Sequence, residues 1–213
     1  SMQLEAANVT FRYTAKGPAV LSGVSFAVKA GERVGLLGPS GQGKTTLARL
    51  LAGHLRPTEG RVLLNSQPLP AKGALPVHLI SQHPETAVNP RWKMRQVLEE
   101  AGAPDPDMLG VLGIEPEWLE RTPGMLSGGE LQRFCVARAL ASGARFIIAD
   151  EISTMLDAIT QAQIWQHLLA HAERRRLGLV VITHNPALAQ RVCTRVVRLE
   201  TLAHPAPNSA SAQ

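Results

Sequence analysis

One stretch limits what this chain can fold into more than any other. Residues 38–45 read GPSGQGKT, which is G-x-x-x-x-G-K-[ST]. The pattern follows an apolar run, RVGLLG at 33–38, and opens a segment, TTLARLLAGH at 45–54, whose apolar residues fall at helical spacing. A buried strand that passes through a glycine loop into a helix is the setting in which this pattern cradles phosphate. The glycines let the backbone of Gly38, Pro39, Ser40, Gly41, Gln42 and Gly43 wrap closely around phosphate oxygens. The loop amides and the helix N-terminus supply partial positive charge. Lys44 adds a full charge for the outer phosphates, Thr45 offers a hydroxyl to Mg²⁺, and Thr46 extends the same turn.

The rest of the chain provides a fold around that loop. With 213 residues, 45% hydrophobic and 18% charged, it is long and apolar enough for one good-sized core and is not a disordered composition. The sequence holds no run of about 18 apolar residues, so no segment is expected to span a membrane by itself, and no signal peptide is visible. Ser1 before Met2 is set aside as a remnant of a removed tag. Cys135 and Cys193 lack metal-ligand spacing and lie in apolar stretches, so both are expected to be small buried hydrophobes of a reducing compartment. The net charge of +5 carries no polybasic block; residues 174–176 are the longest run and suit a solvated helix face.

Two alternating strands are expected within 4–28, with a turn at Lys16, Gly17 and Pro18. Further strands are expected at 33–38, 61–65, 77–81, 146–149 and 179–183, with helices at 44–53, 131–141 and 158–176. Strand–helix alternation with continuous apolar strands indicates an α/β parallel sheet. Between 83 and 126 prolines are frequent and apolar residues fall at helical intervals, which reads as a small helical insertion. The tail at 204–213 is expected to be disordered.

Two more motifs carry chemistry. Asp150 and Glu151 follow the strand FIIA. Carboxylates at the C-terminal edge of a parallel strand beside a phosphate loop suit a metal and an attacking water. Asp150 is expected to orient Mg²⁺ and Glu151 to polarise the water. Residues 126–130 read LSGGE. Ser127 and Glu130 fit a capping box, while Gly128 and Gly129 are costly in a first helical turn and useful where phosphate must approach the backbone. The chain therefore holds two phosphate-binding elements. The economical arrangement is two copies head to tail, each ATP lying between one phosphate loop and the other copy's LSGGE.

At this point the residues resemble a family, the nucleotide-binding subunits of ATP-binding cassette (ABC) transporters, over nearly the whole length. The resemblance assigns Tyr13 to adenine stacking, Gln82 to Mg²⁺ sensing and coupling to the membrane subunit, Asp157 to a loop crossing the dimer interface, and His184 to the γ-phosphate. It implies a RecA-like P-loop ATPase core with an N-terminal antiparallel β portion and a small helical subdomain at about 83–126, all within a single domain at 2–203. It implies ATP and Mg²⁺ as cofactors. The implied partners are membrane permease subunits, a second ATPase subunit (a copy or a sister cassette) and, indirectly, an external binding protein, at the cytoplasmic face of the membrane; no nucleic acid is expected.

The stretch at 82–91, QHPETAVNPR, is similar to the peptide and nickel importer branch, as are LSGGELQR and ADEISTMLD; His83, Ser81 just before that stretch and Ile152 after Glu151 depart from the usual residues. The chain stops soon after His184, without the cysteine-bearing extension of many oligopeptide cassettes, which leaves import of a peptide, nickel ion or metal chelate open. The alternative is an ABC-type ATPase of a soluble complex in phosphonate breakdown, DNA repair or translation. Residues 82–94 and the helix after them are expected to dock a permease helix through Val88, Trp92, Met94 and Val97, with Arg91 and Arg95 exposed beside them; the alternative is that these apolar residues pack inside the helical subdomain.

Overall fold

The structure, a computed structural model, describes residues 2–39, 41–70 and 76–203. Ser40 and the tail at 204–213 lie outside the described residues. Strand β1 (Gln3–Phe11) pairs antiparallel with β2 (Leu21–Lys29) on one side and on the other with β4 (Glu59–Leu64), which continues to the short β5 (Gln67–Pro68). A second sheet is wholly parallel, in the order β6 (Val77–Ile80), β7 (Phe146–Asp150), β8 (Gly178–Ile182), β3 (Arg33–Leu37), β9 (Arg195–Arg198).

The parallel sheet is buried on both faces, which is why its strands are continuously apolar. Successive side chains point to opposite sides. Phe146, Ile148, Val180 and Ile182 face one core, shared with the antiparallel sheet and with Leu47, Leu50 and Leu51 of α1 (Gln42–Leu51). Ile147, Ala149, Leu179 and Val181 face the other. There they meet α2 (Met94–Ala101), α4 (Gly128–Ala141) and α5 (Ala158–Arg175), with α3 (Pro106–Val111) contributing partly buried residues at the edge. The remaining helices are α6 (Pro186–Val192) and α7 (Leu199–Leu202).

Two expectations need correction. The apolar residues offered as a docking surface are instead part of the second core: Met94, Val97 and Val88 are buried and Trp92 packs against them. The cause is helical spacing, since Met94, Val97 and Leu98 fall on one face of α2 and turn toward α4. Arg95 is exposed, but it is paired with Glu120. Cys135 is buried as expected, whereas Cys193 is only partly so. Burial pushes both thiols up to about 11, so neither is a reactive thiolate.

Candidate functional site

Three adjacent parallel strands, β7, β8 and β3, end together, and the expected catalytic groups leave from those ends. This is the crevice where open α/β sheets bind ligands. From β3 the chain passes through Gly38 and Pro39 to Gly41, the N-cap of α1, which has no side-chain cap of its own. The first amides of α1 are thus left for an anion. A Cβ on Gly41 would meet nothing within 4 Å, so this side of the loop is open. On Gly43 it would lie 2.9 Å from Leu199 Cδ2, so there the loop is packed against the α7 segment.

Lys44 is buried, with Nζ donating to the carbonyl of Gly38 at 2.8 Å and 3.8 Å from Glu151 Oε1. The Thr45 hydroxyl donates to Asp150 Oδ2 at 2.9 Å. Burial holds the Asp150 carboxyl above its ordinary range, against the opposing Thr45 hydrogen bond. Glu151 Oε1 also lies 2.8 Å from Nδ1 of His184. The amide of Glu151 donates to Ile182 O, and Thr183 donates to Leu36 O, which fixes these strand ends to one another. Glu151 adopts φ 50°, a left-handed conformation unusual for a non-glycine residue and of the kind that gathers at active sites.

Tyr13 is half exposed at the end of β1; its ring packs edge-on against Phe11 and its hydroxyl is 3.2 Å from Thr46 Oγ1. An aromatic face is therefore held beside the phosphate loop. Gln82 follows β6, and its side chain makes no hydrogen bond among the described residues. Gln42, the first residue of α1, is exposed.

The LSGGE element forms a separate pole. Ser127 caps α4, accepting from Glu130 N at 3.1 Å while Glu130 Oε1 accepts from Ser127 N at 2.8 Å. The helix starts at Gly128, three residues ahead of the expected 131, because this box closes its first turn. Gly129 sits against the loop after β7: a Cβ there would lie 3.2 Å from Met155 O. Asp157 at the end of that loop caps α5, accepting from Thr160 N, and these Thr160 bonds lower its carboxyl. Among the described residues no hydrogen bond or ion pair joins residues 127–130 to the phosphate loop.

Two features escaped the sequence reading. Gln132 is fully buried on α4, a polar residue where helical spacing alone suggests packing. A cleft of about 770 Å³ opens beside Ser81, between α1, β6, α2 and α4, with Arg49, His54, His78 and Arg138 set against Glu100.

A Mg²⁺ ion fits the donor set. Thr45 and Asp150 present two adjacent oxygens, and no group of three or more His, Cys, Asp or Glu forms a cage among the described residues. Magnesium bound through one or two protein oxygens plus substrate phosphates has this appearance.

This parallel sheet, glycine loop, carboxylate pair and capped second pole define an ATP-hydrolysing cassette. The family model described as ABC transporter matches residues 21–154. The chain is 35% identical over 201 residues to the nickel import ATP-binding protein NikE of Escherichia coli O6:K15:H31, covering 85% of this chain and 75% of that one. It is 37% identical over 199 residues to the NikE of Pseudomonas putida, covering 84% and 73%. A solved dimer of the ATP-binding cassette MJ0796, in a post-hydrolysis state bound to ADP and Pi, superposes with TM-score 0.79 at 26% identity over 92% of this chain and 94% of that one. The chain belongs to the ABC transporter family, and it is an ATP-binding, ATP-hydrolysing cassette of that family.

Proposed function

We propose that this chain is the ATPase subunit of an importer and drives uptake of a nickel ion, a metal chelate or a peptide. The observation that carries the ATPase chemistry is the convergence of Lys44, Thr45, Asp150, Glu151 and His184 at three neighbouring strand ends. Lys44 holds the outer phosphates. Glu151 polarises the attacking water, and His184 orients Glu151 and approaches the γ-phosphate. Tyr13 stacks on adenine. Thr45, Asp150 and Gln82 hold Mg²⁺, which neutralises phosphate charge when bound. Lys44 and His184 are both engaged with Glu151, so the phosphate-loop cation, the water-polarising carboxylate and the histidine act as one group.

The isolation of Ser127, Gly128, Gly129 and Glu130 from the phosphate loop supports a head-to-tail pair, with a second copy or a sister cassette supplying the other half of each site. In this reading residues 2–203 form one cassette with a helical insertion at about 83–126.

The import reading is supported by the two nickel import relatives. No helix among the described residues is long and apolar enough to cross a membrane, so transport requires permease subunits at the cytoplasmic face. The cleft beside Ser81 suits such a partner. Its two arginines, Arg49 and Arg138, outnumber Glu100, which fits a short acidic permease helix lying next to Gln82. The soluble-complex alternative is not favoured by these relatives. The deciding measurement is uptake of radioactive nickel and of labelled peptide by cells carrying the chain with its permease. Nickel uptake that is lost in Lys44→Ala supports the nickel reading; nickel uptake indifferent to that change, with peptide uptake lost, moves the assignment to peptides.

A further inference from the structure

We propose that Gln132 is a positioning residue for ATP hydrolysis, holding the backbone at Gln82 and Glu151 in register with the LSGGE helix. Its side-chain amide is completely buried. Nε2 donates to the carbonyl of Ser81 at 2.9 Å and to that of Ile152 at 3.3 Å. Ser81 directly precedes Gln82, and Ile152 directly follows Glu151. The parallel ladder between β6 and β7 has its last pair at Ile80 and Ala149. Beyond that pair no ladder bond holds the two strands together, and the amide of Gln132 bridges the gap.

The same residue stands one turn into α4, whose first residues are Gly128 and Gly129. One side chain thus connects the second phosphate-binding pole to the segments carrying two groups of the first. Its Oε1 is buried without a partner among the described residues. An unpaired buried acceptor costs about 1–3 kcal/mol, and a methionine would fill the same volume without it. Packing alone therefore does not account for an amide here. The geometry does: both N–H groups are spent on main-chain carbonyls next to reacting residues, so a shift of α4 is felt at both.

This inference rests on the roles given to Gln82 and Glu151 above. The test uses the full chain with Gln132→Met, and Gln132→Asn as a second variant whose shorter arm reaches at most one carbonyl. Steady-state ATPase, ATP affinity and melting temperature are measured for each. The expected result is kcat lowered about tenfold or more, with KM and ATP affinity within about twofold. Unchanged kcat in a folded variant overturns the proposal. So does a parallel fall of kcat, affinity and melting temperature in both variants, or failure of both to fold, since each marks a purely structural clamp. Glu151→Gln is run alongside: wild-type turnover there sinks the site reading itself, whereas inactive Glu151→Gln with normal Gln132→Met sinks only this inference.

Discussion

Glu151 and His184 meet across adjoining strand ends, Oε1 of one 2.8 Å from Nδ1 of the other. Lys44 approaches the same oxygen at 3.8 Å. One carboxylate is thus shared by the phosphate-loop cation and the histidine. Glu151→Gln removes its charge while leaving the fold and the loop intact. ATP binding is expected to persist and turnover to fall about 10²–10⁴-fold. Lys44→Ala, by contrast, removes the loop cation and is expected to abolish ATP binding. Equilibrium nucleotide binding and phosphate release separate the two; wild-type hydrolysis by Glu151→Gln would remove Glu151 from its role.

The two poles predict nucleotide-dependent association. Glu151→Gln with Mg-ATP traps substrate between the phosphate loop of one cassette and LSGGE of another, so light scattering should show a monomer become a dimer. If the natural pair is a heterodimer, the dimer forms only when the sister cassette is added. A persistent monomer with both present would reject the head-to-tail arrangement.

Much of this site could be read from residues adjacent in sequence, because its parts are strand-to-helix junctions. The loop at 38–45 and the pair Asp150–Glu151 announce themselves by glycine, lysine and acid at the ends of apolar runs. LSGGE signals its own cap through Ser127 and Glu130. What could not be read is what depends on distant partners. Nothing in LQRFCVARALA says that Gln132 reaches carbonyls 51 and 20 residues away. Nor does a run of apolar residues after Gln82 reveal whether they face a partner or a core. Met94 and Val97 are buried because α4 lies against α2, a tertiary fact that periodicity cannot supply. The edge strand β9, RVVR, is short and partly exposed, so it lacked the apolar signal that marked its neighbours.

Acid should destabilise the cassette through two imidazoles. Burial, helped by Arg138 and His54, pulls His78 from 6.5 down to about 4. Burial, helped by Arg175 and Arg174, does the same for His171. Each is neutral in the fold and becomes charged more readily in the unfolded chain. Their contribution is complete above about pH 6.5 and is lost as pH falls toward 4, at most about 1.4 kcal/mol per pH unit for each imidazole. Melting temperatures from pH 7 to 4.5 should therefore decline, and His78→Gln should flatten the slope. An unaltered slope would show that His78 titrates normally.

Gly60 tests the antiparallel sheet. It has φ +82°, and a Cβ there would run into the carbonyl oxygens of Asn8 and Ala7 on β1. Gly60→Ala combines an unfavourable backbone conformation with a backbone clash that no rotamer relieves. A loss of at least about 2 kcal/mol is expected in urea unfolding. A change within about 0.5 kcal/mol would mean that β1 and β4 separate easily at this point.

The cleft beside Ser81 distinguishes a coupled transporter subunit from a free-standing ATPase. Ala101 lines it at the end of α2 and is only partly exposed. Ala101→Glu places both bulk and negative charge where an acidic permease helix is proposed to lie. It does so without touching the phosphate loop, Asp150, Glu151 or His184. Basal ATPase of the isolated chain should stay within about twofold, whereas hydrolysis stimulated by the reconstituted permease should fall about tenfold or more. That loss corresponds to roughly 1.4 kcal/mol of coupling. Ala101→Lys, of similar bulk and opposite charge, should lose less, because it adds to the positive lining. If the two substitutions act alike, the cleft admits its partner by shape and not by charge. If neither reduces stimulation, the permease docks elsewhere and the groove has no part in coupling.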